Sequence, residues 1–190
     1  MAYSDISQEL SRTIEDFFKG RTALFESAVN ALEKCLGAGH KILVFGNGGS
    51  AAEAQHFAAE LVNRFAKTRK PLRAIALTTD TSILTSIGND SSFDNIFSRQ
   101  VEALGDGRDA AVALSTSGTS PNILEALKIA RKKGLLTVSL TGEGGGKLGP
   151  LSDYLLDVPS KSTPRIQEVH LLLLHLLAQE LEERLGDKDV

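Results

Sequence analysis

Residues 41–65 read KILVFGNGGSAAEAQHFAAELVNRF. The apolar run at 42–45 is typical of a parallel strand buried on both faces, and the glycines after it allow a sharp turn close to a ligand. We expect a helix to begin at Ser50, a good N-cap residue, with Glu53 completing a capping box. A strand, a glycine turn and a helix N-terminus together predict an anion site at residues 46–50.

Two classes of ligand suit this turn. Gly46, Gly48 and Ala51 satisfy the dinucleotide-binding fingerprint, with Ala in its last place. A sugar or its phosphate is the other class. His56 and Glu60 could then act on it together, because residues four apart lie on one face of a helix. From this stretch alone, an ordinary pair on a helix surface is the simpler interpretation of His56 and Glu60.

The composition of the chain bounds the class of protein. Its 190 residues, 42% hydrophobic and 24% charged, suit a single soluble globular domain with a sizeable core. The net charge of −3 gives no reason to expect nucleic acid or a membrane as partner. The basic cluster between Arg64 and Arg73 is expected to be solvated. Cys35 is the only cysteine, which excludes an internal disulfide and a cysteine-based metal site, and we expect a cytoplasmic protein.

The pattern of hydrophobic residues predicts an α/β fold. Helical periodicity over 4–18 and 21–37, with Gly20 between, predicts an N-terminal helical hairpin within residues 1–38. Strands and helices then alternate over 40–185, which predicts a three-layer core around a five-stranded parallel sheet, ending in a long helix. The strand order that we expect is the flavodoxin-like order 2-1-3-4-5. The whole chain, 1–190, is expected to form a single domain. The strands are expected at 42–45, 73–77, 110–114, 135–140 and 153–158, and the helices of the core near 50–65, 81–88, 92–104, 121–133 and 164–185.

A second strand, loop and helix unit ends in a hydroxyl-rich loop, Ser115 to Ser120, followed by Pro121. Every residue of the loop except Gly118 carries a hydroxyl group. That is more than a helix cap requires, and the loop can bind phosphate oxygens at a helix N-terminus. In an open α/β sheet, the loops after the first and third strands flank the point where the strand order reverses, so we expect both to face a single crevice.

The last helix carries two histidines. Gln167, Leu171 and His175 share a broad face, whereas His170 points elsewhere. The leucines around His175 make this helix apolar nearly all round, which indicates burial in the core or between subunits. A satisfied core histidine is the usual explanation for such a residue, and an acid/base or ligand role for His175 requires that His56 and Glu60 reach it.

Taken together, these motifs resemble the sugar isomerase (SIS) domain family and, within it, the phosphoheptose isomerase family. The resemblance extends over nearly the whole chain. It rests on residues 46–50 (GNGGS), 55–61 (QHFAAEL), 89–90 (ND), 115–120 (STSGTS) and 165–170 (RIQEVH).

The resemblance implies specific roles for individual residues. Glu60 and His175 correspond to the catalytic acid/base pair. The zinc ligands correspond to His56, Glu60, Gln167 and His175, a donor set that suits zinc. The substrate-binding positions correspond to Asn47, Gly48, Gly49, Glu60, Asn89, Asp90, Ser115, Thr116, Ser117, Ser120 and Gln167.

The resemblance also implies a reaction and an assembly. The expected reaction converts sedoheptulose 7-phosphate to D-glycero-D-manno-heptose 7-phosphate through a cis-enediol, for ADP-heptose and lipopolysaccharide synthesis, in a homotetramer with one zinc ion per subunit. The alternative is a non-catalytic SIS protein that binds phosphosugars and associates with the replication initiator, although the presence of both Glu60 and His175 argues against it. A dehydrogenase is a third possibility, but Asp80 lies too far beyond the glycine turn, and the serine loop would have no role.

Overall fold

The structure, a computed structural model, describes residues 2–186. One sheet of parallel strands has the order β2-β1-β3-β4-β5, which confirms the predicted fold class. The strands are β1 (Ile42–Gly46), β2 (Ala74–Ala76), β3 (Ala110–Ser115), β4 (Leu136–Thr141) and β5 (Tyr154–Asp157). The helices are α1 (Tyr3–Gly37), α2 (Gly49–Val62), α3 (Thr81–Asp90), α4 (Ser98–Leu104), α5 (Pro121–Lys133) and α6 (Thr163–Leu185), with short 3-10 turns at Phe93–Asn95 and Gly149–Leu151.

The sheet separates two apolar layers because successive side chains of a strand point to opposite faces. Ile42 and Val44 of β1 pack with residues of α1, α2 and α6 on one face. Leu43 and Phe45 pack with α4 and α5 on the other face. The central strands are therefore buried on both sides, as their continuous apolar sequences predict.

The N-terminal segment is one continuous helix, so the prediction of a helical hairpin within residues 1–38 was wrong. Gly20 does not break the helix. Phe17 and Ala28, both buried, lie eleven residues apart, close to three full turns, so the two apolar stripes are in phase and face the same layer. Arg21, next to Gly20, also fixes this point by donating two hydrogen bonds of 2.7 and 2.9 Å to the Asp157 carboxylate at the end of β5.

Two smaller boundaries also differ from the prediction. The helix predicted near 81–88 extends two residues further, so Asn89 and Asp90 lie in the last turn of α3. The helix expected over 92–104 is divided into a 3-10 turn and the shorter helix α4.

Within residues 2–186, no helix combines the length and apolar character needed to cross a lipid bilayer.

Candidate active site

The turn after β1 starts α2 earlier than the sequence predicted. Gly48, with φ of 56°, precedes the first helical residue Gly49, so Ser50 lies inside the first turn and caps nothing with its side chain. The predicted capping box of Ser50 and Glu53 was therefore wrong. Positive φ at position 48, which glycine adopts readily, allows the chain to enter the helix two residues sooner than a serine cap would.

Gln167 of α6 packs directly against this helix start. A Cβ atom at position 49 would overlap the side-chain amide of Gln167, so a larger residue there would push this side chain aside. The glycine turn, read from sequence as space for a ligand, thus also makes room for a side chain from the other end of the chain. This contact brings the N-terminus of α2 and the first turns of α6 to one point.

A cavity of about 190 Å³ lies at the carboxyl edge of the sheet, between the loops after β1 and β3. As the topology predicts, both loops face the same space. Ligand pockets are typically roughly 300–1,000 Å³, so this one suits a phosphate and a few sugar atoms better than a dinucleotide. The lining includes five of the residues implied by the resemblance, Asn47, Ser115, Thr116, Ser120 and Gln167, together with Ser50, Leu114 and Thr163.

Asn47 is held in this cavity by a partner that the sequence analysis missed. Its side chain donates to Asn122 Oδ1 at 2.9 Å, and Asn122 donates back to Asn47 Oδ1 at 2.8 Å. Asn122 is buried at the start of α5. The two side-chain amides therefore connect the glycine turn to the end of the serine loop. The sequence signal for this contact was an Asn directly after Pro121, in the first turn of a helix, where backbone N–H groups have no partner within the helix.

Only some residues of the serine loop line the cavity, namely Ser115, Thr116 and Ser120. Ser115 and Ser120 approach each other, with 3.2 Å between their Oγ atoms, and Ser120 makes no side-chain cap on α5. Ser117 is exposed and does not line the cavity, and its Oγ accepts hydrogen bonds from the backbone N and Oγ1 of Thr119. The hydroxyls nearest the cavity are thus free of the capping role that was their simplest explanation.

His56, Glu60 and His175 form a second group on the facing sides of α2 and α6. Nε2 of His56 lies 2.8 Å from Nε2 of His175 and 3.4 Å from Oε1 of Glu60. The ring of Phe65 lies against His175, with centroids 5.8 Å apart. The condition set from sequence for a role of His175 is met through His56, which contacts both His175 and Glu60. The group is open to solvent, since the side chain of His56 is 44% exposed.

The three side chains offer donor types that zinc prefers, two imidazole nitrogens and a carboxylate. Two tetrahedral zinc ligands would stand about 3.3 Å apart, so the imidazole rings would have to separate slightly. Within the described part of the chain, no group of three or more His, Cys, Asp or Glu residues has the arrangement of a metal site as it stands. Gln167 lies instead in the cavity, eight residues before His175, or about 12 Å along α6.

A buried ion pair between Arg69 and Glu182 contacts the backbone of the histidine group at Glu60. The carboxylate of Glu182, on α6, accepts hydrogen bonds from the backbone N–H groups of residues 65–67 at 2.7–2.8 Å and from Arg69. Arg69 in turn donates to the backbone carbonyl of Glu60 at 2.7 Å. Burial alone would raise the pKa of Glu182, but the backbone N–H groups and the positive charge of Arg69 lower it. The expectation that the whole basic cluster is solvated was wrong for Arg69, which is buried.

Two further titratable groups are buried near the site. Burial raises the pKa of Glu53 to about 7, although its hydrogen bond with Ser50 opposes the shift. Within residues 2–186, Oε2 of Glu53 has no hydrogen-bond partner. Burial also lowers the pKa of His170 to about 4, and its Nε2 donates to the Thr141 carbonyl at 3.1 Å. His170 is therefore a neutral core residue that faces away from His175, as its position on the helix predicts.

Asn89 and Asp90 are not brought into the cavity. Asn89 donates to Asp90 Oδ1 at 2.6 Å, and both side chains are exposed. Asp90 borders a different cavity, of about 500 Å³, between α3, α4 and α5. In one chain, most residues implied by the resemblance therefore fall into three places: the cavity, the histidine group and the end of α3. Ser117 lies exposed on the serine loop, and Gly48 and Gly49 form the turn after β1.

Comparison with known proteins gives one consistent family. The sequence model of the SIS domain matches residues 6–142. Phosphoheptose isomerase 1 of Campylobacter jejuni is 57% identical over 150 residues, covering 79% of this chain and 81% of that protein. Phosphoheptose isomerase of Geobacter sulfurreducens is 51% identical over 178 residues, covering 94% and 93%.

Solved structures agree with these sequence matches. Phosphoheptose isomerase GmhA from Neisseria gonorrhoeae matches with a TM-score of 0.89 and 43% identity, covering 95% of this chain and 96% of that one. A phosphoheptose isomerase from Francisella tularensis matches with a TM-score of 0.86 and 36% identity, covering 96% and 100%. At these identities the similarity concerns the sequence as well as the fold.

Proposed function

Since the chain belongs to the SIS domain family, we propose that it is a phosphoheptose isomerase that interconverts sedoheptulose 7-phosphate and D-glycero-D-manno-heptose 7-phosphate. The structural observation that carries this proposal is the convergence of His56 and Glu60 of α2 with His175 of α6. The relatives at 51–57% identity carry the same name. The alternative of a non-catalytic binding protein has no such support.

The reaction needs only proton transfers, because an aldose and its ketose have the same composition. A base removes a proton from C1 of the ketose, the carbonyl oxygen on C2 gains a proton, and a cis-enediol results. A proton is then delivered to C2 while the oxygen on C1 loses one, which leaves the carbonyl at C1. We assign Glu60 and His175 as the acid/base pair, since a carboxylate can accept the proton from carbon and an imidazole can donate or accept one.

The cavity fits the phosphate end of the substrate. The Ser115 and Ser120 hydroxyls, together with the N-terminus of α5, provide hydrogen-bond donors without a lysine. Asn47, fixed by Asn122, and the amide of Gln167 would bind sugar hydroxyls. Ser117, at the exposed edge of the loop, is proposed as a further phosphate donor, which requires it to release Thr119.

We also propose one zinc ion per subunit, held by His56, Glu60 and His175 with the amide oxygen of Gln167 as fourth ligand. The donor chemistry supports the proposal. When bound, zinc would polarise the sugar carbonyl and its neighbouring oxygen. Gln167 of the same chain lies about two turns from His175, so the set is completed either by movement of that amide or by a neighbouring subunit.

A homotetramer is proposed as the working form. The histidine group is open to solvent in one chain, whereas enediol chemistry requires exclusion of water. The separate positions of the cavity, the histidine group and Asp90 are also consistent with sites completed across a subunit interface. A cytoplasmic location is proposed with it, because charged sugar phosphates do not cross bilayers unaided.

A mixed-subunit experiment tests the shared site. Glu60→Gln and Ser120→Ala proteins, each weakly active alone, are unfolded together and refolded as mixed oligomers. If the histidine group of one subunit serves the cavity of its neighbour, random mixing regenerates about a quarter of the wild-type sites. Activity no higher than that of the two separate proteins would place each site within a single chain.

The activity itself is tested by incubating purified protein with sedoheptulose 7-phosphate and measuring the aldose formed.

A further inference from the structure

A cavity of about 570 Å³ opens at the amino edge of the sheet, on the opposite side from the candidate active site. His40 precedes β1, Arg108 precedes β3, and Tyr154 begins β5, and all three line this cavity. The six residues of β3 separate the two edges by roughly 17 Å. The cavity is thus independent of the serine loop and of the histidine group, and no part of the proposed isomerase reaction uses it.

The charges around this cavity are of one sign. Lys34, His40 and Arg108 line it, and no carboxylate does. Across residues 2–186, neither the Lys34 ammonium group nor the Arg108 guanidinium group has a hydrogen bond or an ion pair, and the nearest acidic contact of His40 is Asp109 Oδ1 at 3.8 Å. Two unpaired cations and an imidazole around one concave surface are the arrangement expected for an anionic ligand.

Lys34 lies in the last turn of α1, where a lysine often serves the helix dipole. That role is largely filled here by the backbone. The carbonyls of Lys34, Cys35 and Leu36 accept hydrogen bonds of 2.9–3.1 Å from the amides of residues 38–40. The end of α1 therefore needs no side-chain cation, and the ammonium group of Lys34 remains available to a ligand.

Arg108 has an unusual backbone. Its φ of 79° makes it the one non-glycine residue with positive φ among residues 2–186. Side chains with a Cβ atom rarely adopt this conformation, and here the N–H of Arg108 donates to the Gly134 carbonyl at 3.2 Å. A glycine would suit this turn better, and the arginine found there lines the wall of the cavity.

The remaining lining defines the uncharged part of a ligand. Tyr154 offers a half-buried aromatic ring and Leu136 an apolar side chain, while Ser27 and Asn30 contribute polar groups. We infer that this cavity binds a small molecule that carries phosphate and an aromatic ring, the chemical class of a nucleoside diphosphate. The phosphates lie between Lys34 and Arg108, and the ring packs on Tyr154.

The inference is tested by titrating the purified full-length protein with ADP in a calorimeter, with pyrophosphate and adenosine as separate probes. ADP is expected to bind, and each fragment to bind more weakly. Lys34→Gln and Arg108→Gly should each weaken ADP binding about tenfold or more, since each removes a charged partner of phosphate. Arg108→Gly also relieves the backbone, so loss of binding in that variant cannot be ascribed to a damaged turn. Lys132→Gln is the matched control, because Lys132 is likewise an exposed cation in the last turn of a helix but lies outside the cavity.

Four outcomes would overturn the inference. These are absence of ADP binding, equal ADP affinity in wild type and both cavity variants, pyrophosphate binding as tight as that of ADP, and displacement of ADP by sedoheptulose 7-phosphate. The last result would assign the nucleotide to the serine loop. Loss of isomerase activity has no bearing on these measurements, so a failure here and a failure of the proposed function can be told apart.

Discussion

Nε2 of His56 lies 2.8 Å from Nε2 of His175, across the contact between α2 and α6. The distance is that of a hydrogen bond, in which one ring donates and the other accepts. Neither ring is enclosed by the core, and Oε1 of Glu60 is 3.4 Å from the same His56 nitrogen. A polar contact at an open surface contributes little to stability. The group therefore offers two imidazoles and a carboxylate for acid/base chemistry.

His175→Gln should lower turnover of sedoheptulose 7-phosphate by about 10²-fold or more, because a positioned acid/base group is lost. Bound zinc should fall as well, since imidazole is a better zinc ligand than an amide. Turnover and metal content of the purified protein are measured together. His40→Gln, at the opposite edge of the sheet, is the control and should leave both unchanged. Equal activity in the two variants would remove His175 from the reaction.

Ser120→Ala should mainly weaken substrate binding. Its hydroxyl lines the cavity and would donate to the phosphate, and a hydrogen bond to a charged group contributes about 1.5–3 kcal/mol. KM is therefore expected to rise about 10- to 100-fold. Ser11→Ala, an exposed serine on α1, is the control. An unchanged KM in Ser120→Ala would separate the serine loop from the phosphate.

Two glycine substitutions should have different effects, one on stability and the other on activity. Gly20→Ala places a Cβ in open space within α1 and should raise the free energy of unfolding by about 0.5–1 kcal/mol. Gly49→Ala forces Gln167 out of its position and should reduce activity with little gain in stability. Denaturant unfolding and steady-state kinetics distinguish them. Destabilisation by Gly20→Ala would contradict a continuous helix at that point.

Glu53 should make stability depend on pH in the direction opposite to most carboxylates. Its pKa in the folded protein is about 7, above its ordinary value of 4.5. As pH rises from 4.5 to 7, the unfolded chain releases this proton before the folded one, so the free energy of unfolding falls. Glu53→Gln should remove this loss and gain about 1–3 kcal/mol relative to wild type between pH 5 and pH 8. The free energy of unfolding of both proteins is measured by denaturant titration at pH 5 and pH 8. A wild-type value that rises with pH relative to that of Glu53→Gln would contradict the prediction.

The sequence predicted those features that depend on local patterns. The apolar run at 42–45 and the glycines after it were sufficient for β1 and its turn, and alternation of strands and helices was sufficient for a parallel sheet. Local sequence signals failed where the phase of two apolar stripes, or the backbone conformation of one residue, determined the bounds of a helix. Gly20 resembled a break although the stripes on either side are in phase, and the positive φ of Gly48 moved the helix start ahead of Ser50.

Residues whose partners are distant in sequence could not be predicted. Asn47 and Asn122 are 75 residues apart, and Arg69 and Glu182 are 113 apart. Nothing near Arg69 distinguishes it from the solvated lysines around it. The groups that act directly were implied by family resemblance, whereas the side chains that hold them in place became visible only in the folded chain.

The proposed isomerisation is tested most directly by turnover of sedoheptulose 7-phosphate by wild type and Glu60→Gln, with Glu183→Gln, an exposed glutamate of α6, as the control. Glutamine keeps the size of Glu60 and one carbonyl oxygen but cannot accept the proton. Wild type and Glu183→Gln should turn over the substrate, and Glu60→Gln should be slower by about 10²–10⁴-fold while still binding it. Wild-type protein that binds the sugar phosphate without converting it, or near wild-type turnover in Glu60→Gln, would contradict the proposed chemistry.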